Sequence, residues 1–172
     1  MKGMKSLFLL GTALAVMSSS ALADATGTQT FKANVTANTC TIANLQQKFD
    51  LGSLVTSKFA SAWADDTDHE IDFNVASCPA TITKVKVTPT YIASAQYLWV
   101  VQNSGTAKGV HLNVDNHGGS ADDKWKNGNA REFTLNNGAA KVPVYFRVQR
   151  NDTDVVKPGT LDFQMTFAFE FI

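Results

Sequence analysis

The stretch LDFQMTFAFEFI, residues 161–172, decides the fold class. Up to residue 171 every second residue is large and apolar, and the residues between them are mostly polar. Because side chains alternate between the two faces of a β-strand, this pattern predicts a strand with one apolar face. That face consists of Leu161, Phe163, Met165, Phe167, Phe169 and Phe171. No further strand follows in the sequence, so we expect another segment to cover this face.

The rest of the sequence predicts strand after strand. Runs rich in β-branched and aromatic residues alternate with turn signals such as Asn137-Gly138 and Pro158-Gly159. Short strands at this spacing predict an antiparallel β-sandwich, with at most a short helical turn in residues 54–64. The predicted extended segments are 28–42, 48–54, 69–77, 82–92, 97–102, 109–115, 131–136, 140–150 and 160–172.

The N-terminus is typical of a secretory signal peptide. MKGMK carries two lysines, the apolar run SLFLLGTALAVM follows, and residues 21–23 end it with the small-x-small pattern Ala-Leu-Ala. We expect cleavage before Asp24, with cleavage before Thr26 as the alternative. The apolar run is too short for a transmembrane helix. The sequence therefore predicts an exported protein whose signal peptide is residues 1–23.

Charge and cysteine content narrow the function classes. Lys plus Arg and Asp plus Glu number 15 each, so no electrostatic argument favours nucleic acid or an anionic membrane. The chain has two cysteines, Cys40 and Cys78. In an exported chain, such a pair predicts a disulfide, whereas a zinc site needs more ligands than they supply.

The apolar face of the N-terminal segment changes parity along the chain. Its odd positions hold Gly27, Gln29, Phe31, Ala33 and Val35, whereas the later Cys40 and Ile42 are even. A strand of period two cannot switch faces without a bulge or a break. We therefore interpret residues 24–36 as an extension and residues 37–172 as the body. An extension lying beside another copy's last strand would cover the apolar face, and cover from within the same chain is the alternative.

Four sequence markers point to a known family. They are FKANVTANTC, FDLGSL ten residues further on, the second cysteine in VASCP, and the ending VKPGTLDFQMTFAFEFI. With these markers the chain resembles pilin subunits of the chaperone–usher fimbriae of Gram-negative bacteria. The resemblance implies an incomplete immunoglobulin-like sandwich that lacks its final strand. Beside its last strand such a fold has a hydrophobic acceptor groove, here lined by the apolar face of residues 161–171.

The resemblance also implies a mode of assembly. A periplasmic chaperone fills the groove first, and the extension of the next subunit replaces it at an outer-membrane usher. The implied donor residues are Gly27, Gln29, Phe31, Ala33 and Val35, with Ala25 entering a further pocket. Gln29 stands where the family usually has an apolar residue, and Phe171 stands where it usually has Tyr. The expected protein is a cell-surface fimbrial subunit that supports adhesion, a minor or adaptor subunit with the major rod subunit as alternative.

Other chemistry receives little support from the sequence. The acidic residues of 65–70 and 115–123 lack the spacing and central Gly of a calcium loop, and we expect solvated loops without metal. No nucleophile arrangement suggests an enzyme, and no cofactor is expected. Trp63, Trp99 and Trp125 are candidates for stacking on sugars, although core or interface packing is more common. A carbohydrate-binding module with adhesin activity therefore stays open beside the structural subunit.

Overall fold

The computed structural model describes residues 25–35, 40–66, 68–95, 97–116, 120, 122–152 and 154–172. The predicted signal peptide and both cleavage sites lie outside the described residues. The strands are β1 (Ala25–Val35), β2 (Thr41–Ala43), β3 (Gln46–Leu54), β4 (His69–Ala76), β5 (Lys84–Tyr91), β6 (Val100–Gln102), β7 (Val110–Asp115), β8 (Arg131–Thr134), β9 (Ala140–Arg150) and β10 (Leu161–Phe171). A 3-10 helix spans Thr56–Phe59, inside the predicted helical turn.

The strands form two five-stranded sheets that pack face to face. One sheet has the order β3-β1-β10-β5-β8 and the other β2-β4-β9-β7-β6. The predicted all-β sandwich is confirmed. Among the described strands every neighbouring pair is antiparallel except β1 and β10, which run parallel.

The core lies between the sheets and follows from alternation along the strands. In β9, Val142, Val144, Phe146 and Val148 are buried and alternate with more exposed residues. Phe73 of β4 meets Phe167 and Phe169 of β10 with ring centroids 5.2 and 5.3 Å apart. Interdigitated aromatic side chains of this kind account for much of the apolar area that a sandwich buries.

Cys40 and Cys78 form a disulfide, as the sequence predicts. The bond joins the residue just before β2 to the segment just after β4, and β2 and β4 are neighbours in the sheet. The two cysteines are 38 positions apart in the sequence, so the bond closes a long loop. In the chain-entropy description such a loop stabilises the fold by about 4 kcal/mol.

Element boundaries differ from the predicted segments in one informative place. The segment predicted as one strand over 28–42 is two strands in different sheets, β1 and β2. The change of sheet explains why the inward parity differs between Phe31 and Cys40, both of which are buried. Residues 36–39, which link the two strands in sequence, lie outside the described residues. Within the described part of the chain no helix is long and apolar enough to cross a membrane.

Candidate strand-exchange groove

The N-terminal segment covers the open side of the last strand. β1 runs parallel to β10, with Gly27 opposite Leu161 and Val35 opposite Phe169. On its other side β1 runs antiparallel to β3, and β10 pairs with β5 on its far side. In the single chain the cover is therefore intramolecular, which is the alternative that the sequence leaves open. That the extension also covers a neighbouring chain stays a prediction.

The apolar face of β10 forms the floor of the groove. Leu161, Phe163, Met165, Phe167 and Phe169 are at most 4% exposed, whereas Phe171 is only half-buried. Phe167 lies at the centre, where its ring centroid is 5.2 Å from that of Trp125 and 6.2 Å from that of Phe31. Each such side chain contributes on the order of 1.5–3 kcal/mol when buried, so the floor depends on its cover.

The odd positions of the extension point into this groove. Gly27, Gln29 and Phe31 are buried and Ala33 is half-buried, whereas Thr28 and Lys32 are exposed. Phe31 reaches across to the second sheet, with its ring centroid 5.3 Å from that of Phe146 in β9. The prediction for the Val35 side chain lies outside the described residues.

Gly27 permits a close approach of two backbones. A Cβ atom placed on it would lie 2.7 Å from Leu161 Cβ, a separation that real structures do not tolerate without a shift. On the β3 side Gly27 is opposite Gly52, and the register shifts between Gly27 and Thr28. A residue with a side chain at position 27 would push β1 away from the floor.

Gln29 is the polar exception within the groove. It is fully buried, and its Oε1 has no hydrogen-bond partner among the described residues. Its Nε2 donates to the Thr30 carbonyl at 3.4 Å, at the long end for such a bond. An unpaired buried carbonyl costs about 1–3 kcal/mol, so Gln29 weakens the hold of β1 on the groove.

The second wall of the groove, β3, was not predicted as part of the site. Leu51 and Leu54 are buried, and the half-buried Phe49 contacts Phe146 with ring centroids 5.2 Å apart. The signal for this wall is the alternation within QKFDLGSL, where Phe49 and Leu51 share one face. Removing β1 would expose the facing backbone edges of β3 and β10, and such edges accept a foreign strand.

The acidic candidates take structural roles. Asp66 is buried, where it accepts a bond from the Val148 N–H at 2.7 Å, and burial raises its pKa. Asp65 and Asp68 bind Arg147 at 3.1 and 2.9 Å, and Asp115 lies 3.5 Å from Lys124 Nζ. These ion pairs fix loops against the outer face of the second sheet. His117 lies outside the described residues.

The three tryptophans separate into two groups. Trp125 is fully buried and packs on Phe133 and Phe167, which is a core role. Trp63 and Trp99 are each 42% exposed. Both contact Tyr97, which the sequence did not single out.

Comparison with known proteins agrees with this geometry. The chain is 28% identical to Protein FimG of Escherichia coli (strain K12) over 142 residues, which cover 83% of this chain and 75% of FimG. A subunit from a chaperone–usher pilus structure concerned with rod uncoiling matches 81% of this chain and 91% of its own length, with a TM-score of 0.68 and 17% identity. The P pilus rod subunit PapA matches 78% of this chain and all of its own length, with a TM-score of 0.60 and 15% identity. No protein-family model matches the chain.

The fold is that of the chaperone–usher pilin subunits among the solved structures, and the chain is similar in sequence to FimG. The resemblance predicted from the four sequence markers is confirmed by the relative and by the solved structures. The sandwich, the disulfide and a strand seated against the apolar face of β10 agree with what the four markers imply.

Proposed function

We propose that the protein is a structural subunit of a surface fimbria that polymerises by donor-strand exchange. The extension, residues 24–36, leaves its own groove and enters that of a neighbouring subunit, while a neighbour's extension fills the vacated groove. The observation that carries this proposal is the place of β1 between β3 and β10. A strand in that place supplies the missing strand of the sandwich, whichever chain it belongs to.

Two features of β1 limit its hold on its own groove. Its pairing with β10 is parallel, and parallel pairs are slightly less stable per residue than antiparallel ones. It also buries the unpaired carbonyl of Gln29. An incoming strand that runs antiparallel to β10 would run parallel to β3, so either direction gives the strand one parallel and one antiparallel neighbour and fills the groove.

The assembly partners follow from the class. A periplasmic chaperone holds the groove before exchange, an outer-membrane usher is the site of exchange, and other pilins are the neighbours. The fibre places the protein at the cell surface, where it supports adhesion. We assign it a minor or adaptor position because FDLGSLVTSKFASAW and the short extension resemble minor subunits of type 1-like fimbriae. The half-buried Phe171 takes the position that is usually Tyr.

Peptide exchange tests the proposal. A fluorescent peptide of residues 24–36 is incubated with the full mature chain, and incorporation is followed by size-exclusion chromatography and unheated gels. We expect slow, stable incorporation, because the peptide offers the groove the same side chains as β1. A peptide with Phe31→Asp is the matched control and should not incorporate. A wild-type peptide that never enters the groove, even in mild denaturant, would contradict strand exchange.

A further inference from the structure

Three aromatic side chains form an exposed row beside the edge strand β6. Tyr97 stands in the middle, with its ring centroid 5.0 Å from that of Trp63 and 5.4 Å from that of Trp99. The outer two rings are each 42% exposed. We call Trp63, Tyr97 and Trp99 the aromatic row. It lies on the second sheet, which does not contain the strand-exchange groove.

Trp63 is held in a costly backbone conformation. Its φ is 62°, in the left-handed region that bulky residues rarely adopt. The surrounding loop is tied down, because Gln149 Nε2 donates to the Trp63 carbonyl at 3.2 Å and the Arg150 N–H donates to the Ala64 carbonyl at 2.8 Å. Strain that persists under such restraint is concentrated at functional sites in proteins. An indole that is both strained and half-exposed therefore points to a ligand.

A polar depression of about 310 Å³ adjoins the aromatic row. The two meet at His111, which lines the depression and whose ring bonds to Asn151 there. The His111 ring also lies 6.0 Å from that of Tyr97 and 6.3 Å from that of Trp63. The polar lining includes Ser94, Gln102, Asn103, Lys108, Asn151 and Asp154.

We propose that the aromatic row and the depression form a binding site for a neutral saccharide. A pyranose ring has an apolar C–H face, which suits a flat indole, and a rim of hydroxyls, each of which donates and accepts hydrogen bonds. The depression offers both kinds of partner, since the Gln102 amide and the Lys108 ammonium donate and the Asp154 carboxylate accepts. Its volume is at the lower end of the roughly 300–1,000 Å³ of small-molecule sites.

The charges beside the site select against anionic sugars. Asp152 bonds to the Tyr97 hydroxyl of the aromatic row and Asp154 lies in the lining, whereas Lys108 is the one cationic side chain among the described lining residues. A carboxylate-bearing sugar would meet like charge there. The same polar lining distinguishes the site from an apolar docking face for a second subunit, which would be depleted of charge at its centre. The fibre subunit would thus carry a lateral receptor site in addition to its assembly groove.

Saturation-transfer NMR on the full mature chain tests the site. The probes are methyl α-mannoside, methyl β-galactoside, N-acetylglucosamine and lactose, with sialyllactose as the anionic comparison. We expect transfer to the ring C–H protons of at least one neutral probe, with affinity reduced tenfold or more in Trp99→Ala. Leu98→Ala is the matched control, because Leu98 is an exposed apolar neighbour without an aromatic ring, and it should bind as wild type does.

Further variants keep the outcome decisive if one of them misfolds. Trp63→Ala should lose binding as Trp99→Ala does, and Trp99→Phe should restore part of it. Near-unchanged melting temperatures identify variants that report on binding alone. Absence of transfer from every neutral probe overturns the site, as does equal binding by wild type and by a folded Trp99→Ala. If Trp99→Ala instead reduces fibre yield and no probe binds, the aromatic row is a subunit interface and the proposal is wrong.

Discussion

At the scale of single residues, β1 combines side chains that fit the groove well with one that fits it poorly. Gly27 allows the closest approach to Leu161, and Phe31 fills the space between the sheets. Gln29, between them, buries an oxygen without a partner. The alternating sequence predicts which side chains face inward, but it does not reveal that position 27 must be Gly, because only the register opposite Leu161 creates that requirement.

Gly27→Val should weaken the hold of β1 on its groove. The added side chain would clash with Leu161, and overpacking of this kind costs about 1–3 kcal/mol. We expect a lower free energy of unfolding in urea and faster uptake of the residue 24–36 peptide. Thr28→Val, on the exposed face of the same strand, is the control and should change little. Equal stability of the two variants would argue against the close approach.

Gln29→Leu should act in the opposite direction. The substitution removes the unpaired carbonyl and adds apolar contact, so the free energy of unfolding should rise by about 1–3 kcal/mol. Peptide exchange should slow, since the resident strand leaves less readily. The half-exposed Thr30→Leu is the control. A Gln29→Leu chain that unfolds more easily than wild type would show that the Gln29 amide is satisfied in solution.

His111 should make the fold sensitive to mild acid. Burial lowers its pKa below the ordinary 6.5, so the unfolded chain binds the proton more tightly than the folded chain does. The stability that the neutral His111 contributes is complete above pH 6.5, the ordinary pKa of histidine. It is lost as the pH falls from 6.5 toward the lowered pKa of the folded chain. The Asp66 carboxyl, whose pKa burial raises, acts in the opposite sense, because the folded chain binds its proton more tightly than the unfolded chain does.

The measurement is the melting temperature at roughly pH 7 and roughly pH 5, which bracket the ordinary range of histidine. The wild type should lose more stability over this interval than His111→Gln, in which the contribution of Asp66 is retained. The difference between the two chains isolates His111. Parallel curves would mean that the imidazole is not buried as the structure has it.

At the scale of elements, β10 and the segment that covers it were predictable, whereas the direction of that segment and the chain that supplies it were not. The alternation of apolar and polar residues predicts which face of residues 161–171 points inward, and it predicts the inward face of β1 in the same way. The direction in which β1 runs is decided by topology: β1 is followed by β2 in the opposite sheet, and its own apolar face is satisfied by either direction. Pattern alone therefore predicts a groove and a strand to fill it, but neither the parallel pairing nor the chain that supplies the strand.

Phe167→Asp tests the groove as an element. Phe167 is fully buried against Phe31, Phe73 and Trp125, so a carboxylate there would be buried without a partner. We expect loss of periplasmic yield, of chaperone capture and of peptide uptake. Gln164→Asp, on the exposed face of the same strand, should be mild. If Phe167→Asp behaved as wild type does, the assignment of β10 as the floor of the groove would be wrong.

At the scale of the whole molecule, the sandwich and the disulfide follow from sequence, whereas the lateral site does not. The period-two pattern of the strands predicts the sandwich, and the signal peptide together with the two cysteines predicts the disulfide. The aromatic row joins Trp63 to Tyr97 and Trp99, and the polar depression draws on residues from 94 to 154. No local pattern links such distant positions, because sheet pairing alone brings these loops together. Trp125, by contrast, is buried, because it packs on Phe133 and Phe167.

The whole-molecule prediction concerns the chain without residues 24–36. In the folded chain β1 pairs with both β3 and β10 and supplies Phe31 to the core. Its loss would expose six apolar side chains of β10 in part and two unpaired strand edges. Several side chains at about 1.5–3 kcal/mol each approach the whole stability margin of about 5–15 kcal/mol. The truncated chain should therefore aggregate when produced alone.

The same chain should be rescued by any strand that fits the groove. Co-expression with a chaperone of the class, or refolding with the residue 24–36 peptide, should yield a soluble complex, whereas the Phe31→Asp peptide should not. The measurement is soluble yield together with the stoichiometry of the complex by mass spectrometry. A truncated chain that is soluble and cooperatively folded by itself would show that the body closes its own groove. In that case strand exchange would have no energetic basis, since an incoming extension would have nothing to complete.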